Sequence, residues 1–202
     1  MSVALEACES PLVLRLRPVI ELTEDQFFSF CQINEEARIE RKADGDLLIR
    51  PLKGAETAYR GMEVACELYE WAKGDRTGVA LSNVGFLLAN KAMRAPDAAW
   101  VLKERLRELT RRQKKKFLPL CPDFVVEVRS PSDALEVLKD KMAEYIANGA
   151  RLGWLIDAPS RDVWVFRPGA EARRLAGRKK VSGAPELAGF VLDLRRIWEP
   201  DF

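Results

Sequence analysis

The stretch LCPDFVVEVRSPSD, residues 120–133, carries the reading of the fold. Phe124, Val125, Val126 and Val128 favour removal from water and suit a strand over 123–129, yet Glu127 is a carboxylate set among them. A core that takes in Glu127 must hydrogen-bond it, pair it with a cation or give it a metal. Pro131 closes the strand, and Ser132 or Asp133 is placed to cap a helix running to about Asn148, with Gly149 as its stop. The apolar run LGWLID at 152–157 follows as a buried strand. The helix is then the crossover between two strands of a mixed sheet with helices packed on its faces.

Period-two alternation puts Asp123, Val125, Glu127 and Arg129 on one face of the first strand and Phe124, Val126 and Val128 on the other. The face that holds Glu127 is thus unusually polar. On the crossover helix, Leu138, Met142, Tyr145 and Ile146 form an apolar stripe with Lys141 inside it. Two readings of Lys141 stand side by side: its methylenes cover the core while the ammonium reaches water, or the ammonium reaches along the sheet to Glu127.

Outward from this unit, Thr23 ahead of Gln26 signals a helix over about 24–33, and RIERKADGDLLIRP reads as a hairpin, 38–42 and 46–50, turning at Asp44-Gly45. Met62, Ala65, Cys66, Tyr69 and Ala72 recur at helical spacing over 59–73, with Val64, Leu68 and Trp71 widening the stripe and Gly74 ending it. Short strands are expected at 78–81, 85–89, 98–102, 162–168, 171–176 and 190–194. The basic segment 103–116 is left between a partly exposed helix and a lid. The aromatic strand DVWVFRP, 162–168, is a candidate sheet edge for pairing with a second subunit.

Composition limits the chemistry. With 202 residues, 48% of them hydrophobic, the chain can build one sizeable core, and one domain suffices. Histidine is absent, which removes histidine-based nucleophile systems, histidine general bases and H-E-x-x-H zinc sites. Clustered carboxylates without histidine call for a hard cation such as Mg²⁺ or Mn²⁺. No run of 18 apolar residues occurs, and the amino terminus lacks a secretory pattern, so the expected compartment is the cytoplasm and no membrane association is expected. Cys8, Cys31, Cys66 and Cys121 form no C-x-x-C pair and suit buried thiols in a reducing compartment. The net charge is only +2, but residues 103–116 hold eight basic side chains against two acidic, and 173–180 hold five basic and none acidic. Either patch can meet phosphates or be a solvated surface.

Pro96-Asp97, FVVEVRSPSD at 124–133, KMAEY at 141–145 and NGARLGWLID at 148–157, with GAET at 54–57, NVGFLLAN at 83–90 and GAPELAGF at 183–190, resemble the Uma2 family (formerly DUF820). That family is regarded as restriction-endonuclease-like and placed in the PD-(D/E)XK nuclease superfamily. The resemblance implies an α/β fold with a mixed central sheet flanked by helices, in one domain over 18–200 after an extension at 1–17. It implies a metal-dependent endonuclease acting on nucleic acid, DNA foremost, and the candidate edge at 162–168 adds the expectation of a homodimer; the alternative is a catalytically inactive nucleic-acid-binding or scaffolding protein of the same fold. Asp97 and Glu127 match the family's metal-holding acids, and Mg²⁺ (or Mn²⁺) is the implied cofactor. Arg129 stands where the superfamily places its lysine, and being permanently protonated it suits phosphate rather than base chemistry. Lys141 matches a lysine moved to the following helix. The additional acid is Glu56 in GAET, or else Glu63. Asp123 is a structural or auxiliary acid, and Arg111, Arg112, Lys114, Lys115 and Lys116 are expected to join Arg129 as phosphate contacts.

Overall fold

The computed structural model describes residues 11–202. Residues 1–10 of the expected extension, Cys8 among them, lie outside the described residues.

Two sheets organise the chain. The larger has six strands in the order β11 (Arg173–Ala176), β10 (Asp162–Phe166), β9 (Leu152–Asp157), β8 (Phe124–Val128), β7 (Ala98–Leu102) and β4 (Gly78–Leu81). All its neighbours are antiparallel except β8 and β9, which run parallel and are joined by helix α4 (Leu135–Ala147), the expected crossover. The smaller sheet has the order β1 (Leu12–Leu14), β3 (Leu47–Arg50), β2 (Arg38–Arg41), β6 (Met93–Arg94) and β5 (Phe86–Leu87). Strand β1 comes from the segment expected as an extension, and it pairs with β3. A two-stranded sheet of β12 (Lys180–Ser182) and β13 (Val191–Asp193) and a short helix α5 (Arg195–Trp198) complete the order. The architecture is α/β, a mixed central sheet flanked by helices, as in restriction-endonuclease-like proteins.

Helix α2 (Ala55–Asp75) covers one face of the large sheet. Its buried line is Val64, Leu68 and Ala72, packed with Trp100, Phe124, Val126 and Trp154. The stripe expected from the sequence is rotated: Met62, Cys66 and Tyr69 are exposed. A run apolar on so many sides does not fix its own inward line, and the sheet chose the β-branched and Leu positions. The helix also begins four residues earlier than expected. It passes Gly74 and ends when Arg76 turns into the left-handed region at φ 62.

The opposite face receives α4, whose Leu138, Met142 and Tyr145 pack on Val125 and Leu155. Gly153 permits the approach, because a Cβ there would stand 2.5 Å from the Met142 methyl. The helix is not capped by Ser132 or Asp133. Its N-cap is Ala134, while the Asp133 carboxylate accepts hydrogen bonds from the Ser130 backbone and hydroxyl and fixes the loop instead. Helix α1 (Glu24–Ile33) opens on the expected capping box of Thr23 and Gln26. Segment 103–116 is helical only in part, as α3 (Lys103–Arg107) and a single 3₁₀ turn at Gln113–Lys115. Strand β10 is no edge, since β9 and β11 flank it, so a second subunit cannot pair through it as expected. No helix among the described residues is long and apolar enough to cross a membrane.

Candidate functional site

The site lies where the two sheets meet, at the carboxyl end of β8. In the antiparallel register of β7 and β8, Ala98 faces Val126, so the next step sets Asp97 opposite Glu127. Residues directly opposite share a face. Both acids therefore stand on the α4 side. They are almost fully buried.

Lys141 settles between two carboxylates, with its ammonium 2.7 Å from Glu127 Oε1 and 2.7 Å from Glu40 Oε1. At 5% side-chain exposure it does not reach water, so of the two readings the inward one holds. Tyr145, one turn along α4, donates its hydroxyl to Glu127 Oε1 at 3.1 Å. Asp97 accepts the Val128 backbone N–H at 2.8 Å, pairs with Lys53 and lies 4.0 Å from Arg38. Glu40 is further held by Arg94 at 3.4 Å, Arg50 at 3.7 Å and the Ala95 backbone N–H at 3.2 Å. Arg50 passes on to Asp133, and Arg94 to Glu144. Five carboxylates (Glu40, Asp97, Glu127, Asp133, Glu144) are thus matched by five cations (Arg38, Arg50, Lys53, Arg94, Lys141).

The same ammonium leaves its two carboxylates in different states. Burial raises the Glu40 carboxyl, but Lys141, Arg50 and Arg94 together outweigh it and hold it at about 2. Burial also raises Glu127, and there Lys141 is opposed by the neighbouring charges of Asp97 and Glu40, so Glu127 stays above the ordinary carboxylate range. Burial, with Glu127 and Glu40 nearby, pushes the Tyr145 phenol well above its usual value and keeps it a donor.

The other expected residues divide. The acid that joins Asp97 and Glu127 is Glu40, while Glu56 and Glu63 stand outside. Glu56 is an exposed first-turn residue of α2 paired with Arg60 at 2.8 Å, and Glu63 faces Arg196 at 3.7 Å. Asp123 is at the far end of β8, where it accepts the Leu102 backbone N–H at 2.9 Å and meets Arg105 at 3.0 Å, a structural tie. Arg129 is spent on Asp157, at 3.0 and 3.2 Å, and on the Asp133 carbonyl. Arg111, Lys114 and Lys115 are exposed, whereas Lys116 and Arg112 turn to Asp25 on α1. Glu40 had a signal: in the hairpin register Arg38 faces Arg50, so Arg38, Glu40 and Arg50 share one charged face of two short strands.

A cleft of about 580 Å³ opens beside the cluster, lined by Arg38, Arg50, Lys53 and Arg60, with Glu56 and Asp133 among its acids. As donors for a hard cation, the oxygens of Asp97 and Glu127 are chemically apt and share a face. As placed, those carboxylates are already engaged by ammonium, guanidinium or backbone N–H groups. No group of three or more acid, histidine or cysteine side chains among the described residues is arranged around a metal position.

Comparison with known proteins agrees with this architecture. No curated protein matches the chain. Among solved structures, a nuclease described as putative and as belonging to DUF820, from Anabaena variabilis ATCC 29413, superimposes with a TM-score of 0.71 at 17% identity, over 88% of this chain and 98% of that one. The likeness at that identity is one of fold. The profile of the Uma2 family, described as "Putative restriction endonuclease", matches residues 24–195, from the start of α1 to the start of α5 and so through every strand of the large sheet. The chain belongs to the Uma2 family.

Proposed function

We propose that this protein binds the phosphate backbone of nucleic acid, DNA foremost, through the cleft beside Asp97, and that its acid cluster serves as a neutralised support for that cleft rather than as a cleavage centre. The observation that carries this reading is the pairing of Asp97, Glu40 and Glu127 with Lys53, Arg38, Arg50, Arg94 and Lys141. A divalent ion added to a balanced, buried cluster must displace cations already in place, whereas a phosphodiester entering the open side meets Arg38, Lys53 and Arg60, which line the cleft and keep N–H donors beyond those turned to Asp97 and Glu56. The three described thiols, Cys31, Cys66 and Cys121, are unpaired, which suits a reducing compartment, the cytoplasm. A homodimer on this reading would use a surface other than β10.

A metal-dependent endonuclease is the second reading, favoured by one observation: Lys141 stands 2.7 Å from Glu127 on the face that also carries Asp97. Asp97 and Glu127 would then hold Mg²⁺ or Mn²⁺, which when bound supplies charge to polarise a phosphate. In that case Lys141 orients Glu127, and Tyr145 keeps Glu127 Oε1 in place by its hydroxyl.

Fluorescence anisotropy of labelled duplex and single-stranded DNA over a salt series, with cleavage followed on gels in Mg²⁺ and Mn²⁺, separates the two. The first reading expects salt-dependent binding that survives Asp97→Asn and Glu127→Gln, falls about tenfold in the Arg38→Ala, Lys53→Ala double variant, and brings no cleavage. Metal-dependent cleavage by the wild type that Asp97→Asn abolishes would replace it by the second reading. Absence of binding would sink both.

A further inference from the structure

Beside the cationic cleft lies a second cavity of about 350 Å³ of different character. Ala37, Ile39, Met93, Ala95 and Phe117 give it apolar walls, and Asn83 stands among its lining residues as an exposed amide. Arg38 and Arg50 line both cavities, so the two are neighbours across the same pair of guanidinium groups. The Arg50 Nε proton is buried without a hydrogen-bond acceptor, 3.7 Å from the nearest Glu40 oxygen.

The aromatic wall is built rather than incidental. Phe117 packs edge-on against Phe28 at 5.0 Å and tilted on Phe27 at 5.9 Å, which holds its ring from one side. Gly85 lets it settle, since a Cβ there would come within 2.4 Å of the ring. Asn83 holds φ 54, a left-handed conformation that asparagine tolerates better than most residues. Phe117 is only part-buried and borders the cavity together with the exposed Asn83 amide, so a flat apolar group with a polar edge has a ring and an amide to meet there. An anion fits on the far side of the two arginines.

We propose that the paired cavities hold one unstacked nucleotide, with its base in the apolar cavity and its phosphate in the cationic cleft. This rests on the nucleic-acid-binding reading and names the form in which the ligand is read. Double-helical DNA keeps its bases stacked inside and offers the apolar cavity nothing, so the protein prefers single-stranded or locally opened chains. Arg38 and Arg50, common to both cavities, span the sugar that joins base to phosphate. Since every base has an apolar face, the cavity selects for the presence of a base more than for its identity.

The test compares two single-stranded ligands of equal length and equal charge, an oligodeoxyadenylate and an abasic tetrahydrofuran phosphate polymer, by anisotropy competition against the full chain. The adenylate is expected to bind about tenfold more tightly, the size of one base–aromatic stack. Asn83→Gly, which keeps the backbone conformation, and Phe117→Leu, which keeps apolar volume without the ring, should each shrink that ratio several-fold while leaving abasic binding unchanged. Should Phe117→Leu fail to fold, Asn83→Gly decides alone, being exposed and outside the core. Equal affinity of the wild type for both ligands, or a ratio untouched by Asn83→Gly, overturns the base cavity and leaves backbone binding standing. No binding of either ligand overturns both.

Discussion

Strand β8 presents its two sides to different kinds of chemistry. Toward α2, Phe124, Val126 and Val128 enter an apolar layer in which Phe124 meets Trp154 edge-on at 4.8 Å and Trp154 stacks on Phe190 at 5.6 Å. Toward α4, Val125 is apolar, but Glu127 stands at the end of a buried run of charges that reaches Glu40 through Lys141. The apolar side is held by burial, which has no direction and adds up by area. The charged side is held by partners whose removal leaves an uncompensated ion in a dry place. One strand thus carries a tolerant face and an exacting one on alternate residues.

The largest break in this contrast is Lys141→Ala, which leaves Glu40 and Glu127 buried without their shared cation. It should cost about 3–5 kcal/mol at neutral pH, measured as a lower urea midpoint, and the cost should shrink in acid as the carboxyls protonate. An unchanged midpoint would mean that water solvates both acids. Leu68→Ala probes the apolar side and should cost about 2–5 kcal/mol, with no dependence on pH beyond that of the wild type.

Glu40→Gln sharpens the comparison by separating charge from shape. The Glu40 carboxyl is held at about 2, below its ordinary value of 4.5. A carboxyl depressed in the folded state stabilises it fully above the ordinary value, and the gain is lost as pH falls from there toward the folded value. Glu40→Gln should therefore cost about 1–3 kcal/mol at neutral pH and flatten the loss of stability between pH 4.5 and about 2. Circular dichroism melts across that window check both, and an acid limb as steep as in the wild type would reassign it to another group. At the small end, Met62→Ala on the outer side of α2 should move stability by no more than about 0.5 kcal/mol, although the periodicity of the sequence points Met62 inward.

What the sequence made legible was whatever a short window could encode. The β8–α4–β9 unit shows in a run of alternating residues, a helical stripe and the apolar LGWLID, and the structure keeps all three. Asp97 and Glu127 were paired by the family resemblance, and the strand register sets them opposite each other. Glu40 was missed because RIER is a four-residue strand whose charge looked like hairpin surface; only the arrival of α4 over it supplies Lys141. Arg129 was overread for a similar reason. Its position suggested phosphate, while Asp157, 28 residues on, had already claimed it. GAET pointed to Glu56, but that segment marks the start of α2, where a first-turn acid faces outward to favour the helix dipole. The rotation of α2 and the two-residue strand β6 depend on contacts between distant segments, which no local pattern contains.

Gly153 bears no functional group, yet it makes room for a side chain of α4. The missing methyl leaves room for Met142, the neighbour in sequence of Lys141. A Cβ on Gly153 would crowd only the Met142 methyl, the far end of a flexible side chain, so Gly153→Ala is absorbed by a turn of that thioether and leaves Lys141 between its acids. A pliant thioether set next to a fixed ammonium lets the packing beneath the helix give way without the charges moving.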